Sequence, residues 1–78
     1  MKSHIDKCKN HVIMRAKERL NLHLNNFDCD YLTKMIQDGE CEHIVGKKGV
    51  FAVKFKNRIF KVCYNKKIHY VTTVYEIS

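Results

Sequence analysis

"VFAVKFKNRIFKVCYNKKIHYVTTVYE", Val50–Glu76, alternates apolar and polar residues with a period of two, which is the pattern of β-strands with one face buried. Two polar breaks, Lys56-Asn57 and Asn65-Lys66-Lys67, cut it into "VFAVKF", "RIFKVCY" and "HYVTTVYEI". A two-residue hairpin loop at Lys56-Asn57 sets Phe55 opposite Arg58, Val53 opposite Phe60 and Phe51 opposite Val62. Phe51, Val53, Phe55, Phe60 and Val62 then share one face, and Lys54, Ile59, Lys61 and Cys63 the other. The second turn leaves its length open between about two and four residues, so the register of the last strand stays open too. Upstream, "HIV" at His43–Val45 and the loop Gly46-Lys47-Lys48-Gly49 predict one more strand, making a four-stranded antiparallel meander.

The apolar face needs a cover, and the N-terminal half supplies it. Ile5, Cys8, Val12, Ala16 and Leu20 recur at helical spacing and form one stripe. "NLHLNNFDCD" interrupts that pattern with turn and cap formers, and Asn26 or Asp28 can accept the free N–H groups of a second helix. That helix is expected over roughly Asp28–Asp38, with Leu32, Met35 and Ile36 inward and Gly39 as its stop. The expected class is α+β: two N-terminal helices packed on one face of a four-stranded antiparallel sheet. With 78 residues, no proline and no repeat, residues 1–78 read as one domain.

Lys and Arg number 15 against 8 acidic residues, a formal charge of +7, which points to a polyanionic partner, nucleic acid first. No apolar run approaches bilayer length and the N-terminus lacks a signal-peptide core, so no membrane role and a cytoplasmic location are expected. The four cysteines, Cys8, Cys29, Cys41 and Cys63, contain no CxxC pair and read as reduced thiols. Cys29, Cys41 and His43 fit no standard zinc spacing, and no metal site is expected. A Gly-rich phosphate loop, a paired carboxylate set and an ordered Ser or Cys triad are all missing, so no cofactor is called for.

What remains suits metal-free RNA cleavage, in which the substrate brings its own 2′-hydroxyl nucleophile. His11, Arg15 and Arg19 recur every four positions and form a ridge beside the buried stripe of the first helix. Imidazole is the side chain suited to taking a proton near neutral pH, and guanidinium matches phosphate oxygens. In isolation the same ridge also fits a solvated helix face with Glu18 pairing locally. Lys54 and Lys61 lie mid-strand on one face, while Lys47, Lys48, Lys66 and Lys67 sit in loops, a set suited to binding nucleic acid. Thr72 and Thr73 fit a strand by β-propensity, and a hydroxyl there could bind a phosphate oxygen. Tyr64, Tyr70 and Tyr75 could stack on bases or fill the core.

"HVIMRAKERLNL", a helix ending in "MIQDGE", and the strands of Val50–Glu76 together resemble small phage and prophage proteins with an H-x3-R-x3-R first helix and a terminal "VTV" strand. These are similar to the ribonuclease superfamily of barnase, EndoU, colicin and RelE-like toxins, and the resemblance spans about residues 8–76. It implies a metal-independent endoribonuclease acting on tRNA or mRNA and leaving 2′,3′-cyclic phosphate ends. His11 and Arg15 match its first-helix positions, Lys61 a basic residue of the third strand and Thr73 the hydroxyl of the last; Lys54 is a weaker match. It also implies a protein inhibitor or antitoxin as partner and, for a phage-encoded chain, the host cytoplasm as location. No second catalytic histidine is plainly placed, which keeps open a catalytically inactive phage accessory protein that binds a host protein or nucleic acid to inhibit defence or translation.

Overall fold

A computed structural model of the chain describes residues 4–46 and 48–77. Helices α1 (His4–Leu20) and α2 (Asn26–Gln37) precede strands β1 (Glu42–His43), β2 (Val50–Phe55), β3 (Arg58–Asn65) and β4 (Tyr70–Glu76). The strands form one antiparallel sheet in the order β1-β2-β3-β4, and both helices lie on one of its faces, so the expected α+β architecture is the observed one.

The β2–β3 register is the one its two-residue turn dictates: Phe55 faces Arg58, Val53 faces Phe60 and Phe51 faces Val62. Lys56 and Asn57 both take positive φ (51° and 62°), the primed-turn geometry whose twist matches that of the flanking strands. Lys56 is then held from the helical layer by Asp28 Oδ2 at 3.3 Å.

The structure differs from expectation at two ends and fixes a third that the sequence left open. Helix α2 starts two residues early because Asn25, rather than Asn26 or Asp28, is its cap. The Asn25 side chain accepts from the Asp28 N–H, and the Asp28 carboxylate accepts in return from the Asn25 N–H, a complete capping box. Strand β1 is only Glu42–His43; the Ile44 N–H still donates to the Val50 carbonyl at 2.9 Å, but Val45 is 94% exposed. The last turn holds four residues, Lys66–His69. Asn65 Oδ1 accepts from the Lys67 N–H at 2.8 Å to bend the chain, and His69, at φ 54°, delivers it to Tyr70 opposite Asn65.

Further along β4 the register shifts between Cys63 and Tyr64: Tyr64 pairs with Val71 but Cys63 with Thr73, so Thr72 is an extra, bulged residue. The bulge lets both Val71 and Val74 point to the core, and both are fully buried.

The core is one cluster. Val12, Ala16 and Leu20 of α1 and Cys29, Leu32 and Ile36 of α2 meet Val53, Phe60, Val62, Val71 and Val74 of the sheet. Ile5, at the start of the α1 stripe, is left 36% exposed. At the edge of this core the Tyr70 hydroxyl donates to Asp30 Oδ1 at 2.6 Å, and Lys9 Nζ stands 3.4 Å from the same oxygen, tying α1, α2 and β4 together.

Burial pushes the Cys29 thiol from its ordinary value near 9 up to about 11, with Asp30 and Asp28 adding to the rise. An unfolded thiol releases its proton near the ordinary value, so above it the unfolded chain binds fewer protons than the folded one. Stability is therefore expected to be full below about pH 9 and to fall through pH 11, by about 2 kcal/mol. Tyr70, raised by burial and by its bond to Asp30, acts with the same sign. Urea midpoints measured from pH 8 to 11 check this, with Cys29→Ala expected to flatten the fall.

Candidate nucleic-acid interface

Helix α1 and strand β4 run side by side in the same direction. Lys9 lies over the Tyr70 ring at 5.9 Å, near the start of both, and Arg19 reaches Val74 and Tyr75 near the end of both. Ten helical residues advance about 15 Å and five strand residues about 16 Å, so the two elements keep pace. Arg15, one turn before Arg19 on the same ridge, falls level with Thr72 and Thr73, and His11 a turn earlier falls nearer the start of β4.

Arg19 is the best-defined member of the ridge. Its Nη1 donates to the Val74 carbonyl at 3.1 Å, and its guanidinium carbon lies 4.5 Å from the centre of the Tyr75 ring. Because Val74 points into the core, Tyr75 points to the face of the sheet without helices. Arg19 thus turns around the β4 edge from one face to the other. There Tyr75 is the cross-strand partner of Lys61, and Thr73 that of Cys63. Burial raises the Cys63 thiol, and Lys61 and Arg19 oppose that rise, an electrostatic sign that both cations bear on this spot.

The candidate catalytic residues fall into two pairs on the two sides of the sheet, with Arg19 reaching from one to the other. Lys61 and Thr73 share the open face, whereas His11, half-buried, and Arg15 belong to α1, in the layer that covers the other face. Arg15 Nη1 donates to Glu18 Oε2 at 2.9 Å, the local pairing that the sequence allowed. Its Nε and the Thr73 hydroxyl are buried without a hydrogen-bond partner among the described residues. Such groups carry a desolvation cost.

The other candidate cations separate. Lys54 is exposed on the open face, opposite Ile59. Lys48, Lys66 and Lys67 stand around a cleft of about 810 Å³ at the far end of the sheet, where the β1–β2 and β3–β4 loops meet. Lys47 lies outside the described residues. In the cleft the His43 and Phe51 rings pack edge to face at 5.1 Å, and Phe51 and Tyr64 do so at 6.4 Å. This aromatic row was not legible in advance, because it depends on His43 pairing with Phe51 in a strand of two residues. Gly49 closes the ladder beside it. Its φ of 73° and a Cβ position only 2.7 Å from the Tyr64 carbonyl oxygen exclude a side chain, and the Tyr64 N–H donates to the Gly49 carbonyl at 2.7 Å.

Among the described residues no group of three or more His, Cys, Asp or Glu side chains gathers to hold a metal, and no helix is long and apolar enough to cross a membrane. All four cysteines are free thiols. No protein-family model, curated protein or solved structure matches the chain, so the geometry itself must carry the functional reading.

Proposed function

We propose that this domain binds RNA along the α1–β4 seam and cuts it without a metal. The observation that carries the reading is the Arg19 guanidinium held on the Tyr75 ring, across from Lys61 and beside the unpartnered Thr73 hydroxyl. A cation, an aromatic face and a free hydroxyl at one strand edge suit a phosphodiester and its neighbouring base. In this reading His11 takes the 2′-hydroxyl proton and the 2′-oxygen attacks phosphorus. Arg15 and Lys61 stabilise the charge of the pentacovalent phosphate, and Thr73 positions it. The P–O5′ bond then breaks, the 5′-oxygen takes a proton from water, and a 2′,3′-cyclic phosphate remains. tRNA and mRNA are the substrates that the family resemblance suggests.

A second reading, binding without cleavage, draws on the engagement of the two arginines by the protein itself, Arg15 by Glu18 and Arg19 by Val74. Incubation with total tRNA in EDTA separates the two. Fragments ending in cyclic phosphate are expected from a nuclease. Intact RNA retained with a steep salt dependence supports the binder, and no retention at low salt overturns both.

A further inference from the structure

We propose that the cleft at the end of the sheet is a separate site for one nucleotide unit, with its base on the His43–Phe51–Tyr64 row and its phosphate among Lys48, Lys66 and Lys67. The cleft opens where helix α2 stops short of the end of the sheet. Helix α2 has 12 residues, about 18 Å, whereas β3 has 8, about 26 Å. The helix stops at Gln37, whose Nε2 donates to the Tyr64 hydroxyl at 3.2 Å and to the His69 carbonyl at 3.3 Å. Beyond that point Phe51 and Tyr64 lose their helical cover and remain only half-buried.

The rim favours an anion. No acidic residue lines the cleft, and among the described residues no carboxylate pairs with Lys48, Lys66 or Lys67. Carbonyls in the last turn of α2, which would repel a phosphate, are already occupied: Lys34, Ile36 and Met35 accept from the Asp38, Gly39 and Glu40 N–H groups. A volume of about 810 Å³ lies within the roughly 300–1,000 Å³ usual for small-ligand sites. The floor is aromatic and its polar groups are few, so recognition rests on stacking and charge, which tolerates any base. The ligand class is thus a nucleoside monophosphate, either free or as an unpaired residue of a single strand.

The site does not depend on whether the seam cuts RNA. Amide NMR spectra of the whole chain, titrated with adenosine or uridine 5′-monophosphate, with a tetraribonucleotide and with inorganic phosphate, test it. Saturable shifts at Gly46, Gly49, Asn65 and Thr72 are expected with the nucleotides. The His43→Ala variant, which removes an exposed ring, is expected to weaken binding by about five-fold or more. Replacing Lys66 and Lys67 together with alanine should flatten its salt dependence. Tighter binding of the tetranucleotide would assign the cleft to a strand, and equal or weaker binding to a free nucleotide. Inorganic phosphate acting as well as the nucleotides, or no shift at these amides at millimolar ligand, would overturn the proposal. Cleft binding by a parent protein that leaves RNA uncut would sink the nuclease reading of the seam alone.

Discussion

Replacing Phe60 with alanine is expected to cost about 3–5 kcal/mol, the range for deleting a large buried aromatic side chain. Phe60 is wholly buried, paired with Val53 and part of the single core cluster that the sheet shares with the helices. A domain of 78 residues has in total about 4–12 kcal/mol of stability, and small cores sit toward the lower end. The loss is thus comparable to everything the fold has, and a largely unfolded variant is expected at 25 °C. Urea titration followed by far-UV circular dichroism measures it. The neighbour supplies the control: Ile59 points to the open face and is 61% exposed, so Ile59→Ala should change stability by no more than about 0.5 kcal/mol. Equal losses at the two positions would mean that the faces of β3 are wrongly assigned.

The second large effect concerns cleavage, and it rests on the proposed nuclease. His11→Ala is expected to slow RNA cleavage by about 10²- to 10⁴-fold, the usual worth of a positioned general base. Retention of RNA at low salt should change little, because the cations that hold phosphate remain. Lys61→Ala should reduce both cleavage and retention. Single-turnover digestion of tRNA in EDTA, with circular dichroism to show that each variant is folded, separates these outcomes. Cleavage by His11→Ala at the parent rate would remove the imidazole from the mechanism.

Much of the architecture could be read from residue order because the determining signals are local. Lys56-Asn57 sets the β2–β3 register, and the Val12, Ala16, Leu20 stripe orients α1. The unforeseen features depend on contacts between distant segments. Thr72 as a bulge follows from the need to bury both Val71 and Val74 while β4 stays paired with β3. A period-two pattern cannot announce that. Asn25 as the α2 cap was hidden among several residues able to cap, and only its reciprocal bond with Asp28 selects it.

The candidate site divides in the same way. Helical spacing placed His11, Arg15 and Arg19 on one ridge, and strand alternation placed Lys54 and Lys61 on one face. The convergence of Arg19, Tyr75 and Lys61 required knowing that α1 runs parallel to β4 and close enough for a guanidinium to pass around the edge. The loop lysines looked like a general coating of charge. In the fold Lys48, Lys66 and Lys67 gather around one cleft, because the β1–β2 and β3–β4 loops lie at the same end of the meander.

The bond from Arg19 to the Val74 carbonyl bears on how molecules of this protein meet one another. Strand β4 is the long outer strand, and its outward peptide groups offer a template on which a second copy's strand could dock and extend the sheet. Arg19 already occupies one of the acceptors that such a strand would need, and it fixes a positive charge beside the vacancy. Two copies approaching edge to edge would each present that same guanidinium, so the residue that lines the seam also discourages fibre-like growth of the sheet from molecule to molecule.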